Sequence, residues 1–425
     1  MKKTKLMGLL AGVLLACEAY AATAPEVKFD HGVDIRSFFE SADGKGQPSP
    51  ARANPDFDKP VWISVSNEDL KALGGEFSFP KREVLIQNPL ISVFQVNTSE
   101  LGVLSGIMHR KLHKCGGFFT HPSLESAKND FLPAPTAAAR AYTIDQRDQV
   151  LAMLKIVDEK DLTNTITRLS LYKNRYYTTQ TGVAASKWLQ TYWGELAAGR
   201  DDISVAAYRH GGWAQESVIL TVRGSSEPQK IVVMGGHMDS IAGGGGDTIA
   251  PGADDNASGI AALTEAIRVI VASGYKPKKT LKFMGYSAEE VGLRGSQDIA
   301  RAFKLEGAEI EGVIQLDMTN FNGSAEDIFL ITDYTNAPQN AFLGSLIRSY
   351  TDYRLGETKC GYACSDHASW TKNGFAASFP FEASFKESNP YIHSARDTLS
   401  QSGGHSRHAL KFAKLVIAYL VEMAK

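Results

Sequence analysis

Between Ile231 and Gly259 the chain reads IVVMGGHMDSIAGGGGDTIAPGADDNASG. The β-branched run Ile231-Val232-Val233 predicts a buried strand that stops at Gly235-Gly236 and delivers His237 at its C-terminal end. Asp239 follows, then a glycine-rich loop, then Asp254-Asp255-Asn256, and a helical pattern opens near Ser258. Strand, loop and helix in this order narrow the choice of folds sharply. In open α/β sheets, ligands bind beyond the C-terminal ends of the strands. A histidine and several carboxylates delivered to such an edge are the donor set of a metal site.

The surrounding pattern agrees. VILTVRG (218–224), KIVVMGG (230–236), TLKFMGYSAEE (280–290), GVIQLDM (312–318), IFLITD (328–333) and AASFPFE (376–382) read as strands. QRDQVLAMLKIV (146–157), GVAASKWLQTYWGEL (182–196), SGIAALTEAIRVIVASG (258–274), GSQDIARAFKLEG (295–307) and HALKFAKLVIAYLVEMA (408–424) read as helices. The alternation predicts an α/β fold whose mixed, mainly parallel central sheet carries helices on both faces. Several of these runs end in a ligand type: His237, the pair Glu289-Glu290, and Asp317, with Asp254-Asp255 in a loop and His393 further on. Taken singly, each reads as a solvated carboxylate or a structural histidine. Their recurrence after successive apolar runs is what points to cations. On sequence alone, either Asp254 or Asp255 could be the ligand.

The first third of the chain is organised differently. Lys2, Lys3 and Lys5 precede the apolar stretch Leu6–Ala16, and Ala19-Tyr20-Ala21 fits a cleavage site. Residues 1–21 are thus expected to be a secretory signal peptide, too short to span a bilayer. Leu14-Leu15-Ala16-Cys17 offers a rival reading, lipid anchoring through Cys17. VWISV (61–65), EVLIQ (83–87) and LISVFQV (90–96) predict strands of a small α+β unit, and LPAPTAAAR (132–140) reads as a linker. An exported chain with such a unit ahead of a catalytic candidate is expected to carry a propeptide at 22–140 and its catalytic domain at 141–425. The formal net charge of −2 gives no reason to expect nucleic acid or an anionic membrane as a partner. His113 and Cys115 form too sparse a group to be read as a metal site.

GGHMDS, APGADDNASGIAAL, YSAEEVGLRGS, LDMTN, CGYACSDHASW and NPYIHSARDTL, in order over about residues 141–405, resemble the motifs of the secreted bacterial leucyl aminopeptidases of the Vibrio type. These are co-catalytic di-zinc enzymes, some with N-terminal propeptides. The resemblance implies two zinc ions. Asp255 bridges them, followed by a cis peptide to Asn256; His237 and Asp317 complete one ion, and Glu290 and His393 the other. It makes Glu289 the general base, Asp239 the carboxylate orienting His237, and Tyr362 a donor to the oxyanion from within a Cys360–Cys364 disulfide. Met318, Ile331, Phe379, Phe381, Phe385 and Ile392 line the pocket for the first side chain. His367, a ligand candidate on composition, has no ligand role in the resemblance. The implied activity is release of N-terminal leucine and other large hydrophobic residues from peptides, by a secreted monomer with no stable membrane association. Two alternatives keep the fold: an inactive binding module, and a single-zinc glutaminyl cyclase. The complete set of five ligands and a base disfavours both.

Overall fold

A computed structural model describes residues 58–132 and 135–425. The expected leader at 1–21, with Cys17, lies outside the described residues. An N-terminal layer begins with β1 (Pro60–Ser66), α1 (Asn67–Leu73), β2 (Ile86–Gln87) and β3 (Ile91–Asn97). It continues with α2 (Leu101–Leu112), β4 (Phe118–His121) and α3 (Leu124–Lys128). Its antiparallel sheet has the order β2-β3-β1-β4. Ile63 and Val65 share one face of β1, and with Phe94 they bury Leu101, Leu104 and Met108 of α2. The same cluster runs on without a break into Tyr176, Tyr177, Trp213, Ile241 and Val291. Layer and main body therefore share one hydrophobic interior.

The main body is built on a six-stranded sheet. Helices α4 (Arg147–Leu154), α5 (Glu159–Ser170) and α6 (Gln180–Leu196) precede β5 (Ile203–Tyr208), β6 (Ser217–Val222) and β7 (Glu227–His237). Then come α7 (Gly259–Ser273), β8 (Lys279–Tyr286), α8 (Arg294–Leu305), β9 (Glu309–Gln315), β10 (Ile328–Ile331), α9 (Ala337–Tyr350) and β11 (Leu355–Thr358). The chain ends with α10 (His367–Lys372), β12 (Ala377–Ser378), β13 (Pro380–Phe381) and α11 (Ala409–Met423). The sheet order is β12-β9-β7-β8-β6-β5, parallel from β12 to β8 and antiparallel beyond. Successive side chains of a strand face opposite sides. Val232, Met234, Leu281, Phe283 and Ile314 pack under α7 and α11, while Val233, Met284 and Val313 pack under α8 and Trp370. This is the mixed α/β sheet, covered on both faces, that the alternation predicts.

The stretch 376–382, read as one strand, is two. Ala377-Ser378 pairs with β9, and Pro380-Phe381 crosses to a small second sheet of order β11-β10-β13. The crossing brings Phe379 and Phe381 beside Ile331 of β10. Among the described residues no helix is long and apolar enough to cross a membrane.

Candidate active site

The sheet delivers its chemistry at one edge. β7 ends on His237. β8 ends at Tyr286, and a turn with Ala288 at φ 58° presents Glu289 and Glu290 beyond the strand, where two neighbours can face the same space. Asp317 follows the end of β9. Asp255 lies in the irregular turn that opens α7, and its peptide bond to Asn256 is cis. His393 joins from a turn near the C-terminus.

Asp255 sits at the centre of the group. Its Oδ1 is 3.0 Å from His237 Nε2 and its Oδ2 is 3.2 Å from His393 Nε2. Asp317 Oδ1 approaches the same His237 nitrogen at 3.3 Å, and Glu290 Oε2 approaches the same His393 nitrogen at 2.7 Å. All five side chains are buried. Asp255 Oδ2, both Glu290 oxygens and both ring nitrogens of His393 lack a hydrogen bond of sound geometry. Buried polar atoms are ordinarily satisfied, so facing donors with none point at a shared cation. Burial alone would depress His237, but the Asp317 and Glu289 carboxylates outweigh it and raise its pKa well above the usual value. Burial, with Asp255 beside it, pushes Glu290 up to about 7. Two histidine nitrogens and three carboxylates, buried and facing one another, are a donor set that fits zinc.

A surrounding layer fixes these ligands. Asp254 turns away: its oxygens accept from Asn320 N (2.9 Å) and Asn389 Nδ2 (3.1 Å), which leaves Asp255 to face the histidines. Asp397 accepts from the backbone N–H groups of Asp254 (3.1 Å) and Asp255 (3.0 Å). His237 Nδ1 meets the main-chain carbonyl of Asp239 at 3.1 Å, while the Asp239 carboxylate stands 3.5 Å off. That carboxylate instead accepts from the N–H groups of Glu289 (3.0 Å) and Glu290 (3.2 Å). Ser365 donates to Asp317 Oδ2 at 2.6 Å. Arg175, fully buried, donates to the carbonyls of Met238, Pro251 and Gly252, clamping the loops that follow His237 and precede Asp255. Arg175, Asn389 and Asp397 carry no sequence signal for these roles, since an arginine, asparagine or aspartate in a polar loop has no periodic pattern.

Met318, Ile331, Phe379, Phe381 and Ile392 form one buried cluster with Tyr362 and Cys364, and Phe385 packs against it. Cys360 and Cys364 are bonded. His367 lies 4.8 Å from the Phe379 ring and belongs to neither ligand group.

The N-terminal layer reaches this edge. Its Cys115 N–H donates to Tyr362 Oη at 2.7 Å, and the His109 ring lies tilted against His393 with centroids 4.4 Å apart. Gly102 and Gly106 of α2 meet the glycine loop after β7 so closely that a Cβ on Gly106 would fall 1.8 Å from the Gly243 carbonyl oxygen. A cleft of about 840 Å³ opens beside the cluster, between the N-terminal sheet and α8, lined by Ser64, His121, Asp130, Arg294 and Lys372. None of the five clustered ligands borders it.

Residues 217–420 match the profile of peptidase family M28. Leucine aminopeptidase 1 of Arthroderma otae is 35% identical over 308 residues, covering 69% of this chain and 81% of that protein. The LapA aminopeptidase of Legionella pneumophila superposes with a TM-score of 0.76 at 29% identity, over 86% of this chain and 99% of that one. LapB of the same organism gives 0.75 at 28% identity, over 86% and 100%. The mixed sheet with a histidine–carboxylate cluster at its edge is shared with these aminopeptidases in fold. The chain belongs to peptidase family M28, a family of zinc metallopeptidases.

Proposed function

We propose that the chain is a di-zinc aminopeptidase that removes N-terminal leucine and other large hydrophobic residues from peptides. The observation that carries this reading is the group of five buried ligand side chains, centred on Asp255, whose facing atoms lack ordinary partners. His237, Asp317 and Asp255 would hold one zinc, and Glu290, His393 and Asp255 the other. Two such ions, when bound, lower the pKa of an attacking water and polarise the scissile carbonyl.

The chain's own groups do the rest. Glu289 takes the proton of the attacking water on a carboxylate oxygen and passes it to the leaving amine. Its backbone is held for this by the hydrogen bond to Asp239 Oδ1 (3.0 Å). Tyr362 donates from its hydroxyl to the developing oxyanion. Met318, Ile331, Phe379, Phe381, Phe385 and Ile392 enclose the first side chain and exclude water, so a leucine side chain is favoured over a charged one. The metal-replete catalytic part should hydrolyse leucine p-nitroanilide, lose that activity to a chelator and regain it with zinc. Absence of turnover at full metal loading would overturn the reading. Asp397→Ala removes the acceptor of the Asp254 and Asp255 N–H groups, and zinc affinity should fall about 10–100-fold. Competition titration with a chromogenic chelator measures it; unchanged affinity would remove Asp397 from the scheme.

Residues 1–21 would direct export, and residues 22–140 would serve as a propeptide. The exposed linker around 135–141, the α2 contact on the glycine loop, and Cys115 and His109 beside His393 support the second part. Cleavage in the linker should therefore raise peptidase activity. Equal rates for cut and uncut chains would reject inhibition by this segment.

A further inference from the structure

The loop after α2 is built to place one side chain. Helix α2 ends at Leu112, His113 turns left-handed at φ 54°, and Gly116 and Gly117 follow at φ 58° and 76°. Glycine takes such conformations at no steric cost, which suits the two that follow. The tip is fastened on both flanks. Lys114 Nζ meets the buried Asp69 carboxylate at 2.6 and 2.8 Å, and the Cys115 N–H holds Tyr362 Oη at 2.7 Å. A loop fixed in this way aims Cys115 inward. Its Sγ, a carboxylate oxygen of Asp255 and a ring nitrogen of His393 all lie within 4.8 Å of one another. The residue also packs against the apolar cluster of Met318, Phe381 and Ile392, where the first side chain of a substrate would sit.

Cys115 is the free cysteine of the described residues, and the atoms it faces are not ordinary neighbours. Asp255 Oδ2, both Glu290 oxygens and both His393 nitrogens are buried without sound hydrogen bonds. A thiol is only a weak hydrogen-bond partner for such a group. As a thiolate it is a strong zinc ligand.

We propose that in the uncleaved chain Cys115 ligates the cation held by Asp255, Glu290 and His393, closing the site until the N-terminal layer is removed. This rests on the two-zinc reading above and deepens it. Three protein ligands with an open position make a catalytic site; a fourth protein ligand makes a structural one. On ligation the S–H bond breaks and its proton passes to solvent. The sulfur keeps the electron pair and directs it to the cation, so no oxidant or reductant is involved. Cleavage in the linker frees the layer to leave, and the sulfur goes with it.

Cobalt substitution of the uncut chain tests this. A cobalt-bound thiolate gives a near-ultraviolet charge-transfer band that nitrogen and oxygen ligands do not. The band is expected in the uncut wild type and lost both in Cys115→Ser and after cleavage, with two cobalt ions per chain retained in all three. Thiol titration should show Cys115 slow to react in the zinc-loaded uncut chain and fast after chelation. Two bound cobalt ions without the band in the uncut wild type overturn thiolate ligation, even if cleavage still raises activity. A chain that binds no cobalt in any form fails the two-zinc reading itself, and the proposal falls with it.

Discussion

Glu289→Ala in the cleaved, metal-replete protein lowers kcat for leucine p-nitroanilide by about 10²–10⁴-fold and leaves zinc content unchanged. The two halves of that expectation come from different contacts. Glu289 Oε2 stands 4.0 Å from His237 Nε2, farther than Asp255 or Asp317, so the side chain is beside the ligand group and not in it. Burial, with Glu290, Asp366 and Asp317 nearby, pushes its pKa well above the usual carboxylate range when no cation is present. With the proposed cations bound beside it, the Glu289 carboxylate would instead be held ionised, as a base must be. Glu289→Gln keeps the shape and the backbone hydrogen bond to Asp239 and removes only the proton acceptor. It should lose nearly as much rate as alanine, with kcat and kcat/KM falling together. Glu290→Ala, one residue on, should instead lose metal. A glutamine variant within about tenfold of wild type would end the assignment of Glu289 as base.

Much of this arrangement can be read from the chain, because buried parallel strands are plain in sequence. IVVMGGH and TLKFMGY are apolar runs with abrupt ends, and the edge they define follows from the α/β pattern alone. What resisted reading was set by contacts between distant segments. Asp254 and Asp255 are equivalent in sequence; Asn320 and Asn389, far along the chain, capture the first and free the second. Asp239 reads as the carboxylate beside His237, and it stands 3.5 Å from the ring; what sequence does not reveal is that its carbonyl also meets the ring and its carboxylate holds the backbone of Glu289 and Glu290. AASFPFE reads as one apolar run; Pro380, which cannot donate to a ladder, is the local sign that the run breaks after Phe379. Helix α5 went unread because its Thr and Asn content lowers helix propensity, although Asp158 caps it by accepting from Lys160 N. Helix α2 went unread for a related reason. Gly102 and Gly106 weaken a helix in isolation, and they are present because a facing loop leaves no room for a Cβ. His113 and Cys115, a sparse pair in sequence, gain meaning only when folding carries Cys115 to His393.

The two glycines of α2 allow the layer to be loosened without cutting the chain. Gly106→Ala in the uncut protein should raise peptidase activity about 5–150-fold. The added Cβ would meet the Gly243 carbonyl oxygen at 1.8 Å and its carbon at 2.7 Å, and both are backbone atoms that cannot swing aside. Overpacking of this kind costs about 1–3 kcal/mol. The cost falls on the docked state alone, since Gly243 belongs to the main body and is met only when α2 lies against it. Within the helix, alanine is the better residue by about 0.5–1 kcal/mol, so α2 itself is not weakened. If activity in the uncut chain comes from the small fraction with the layer lifted, that fraction grows tenfold for each ~1.4 kcal/mol taken from the docked state. Gly102→Ala, whose Cβ would stand 2.4 Å from the Gly244 carbonyl oxygen, should act in the same direction. After cleavage and loss of the layer, either variant should match cleaved wild type, because the substituted residue is gone. Uncut Gly106→Ala with wild-type activity would mean that docking of α2 on the glycine loop does not govern access to the site.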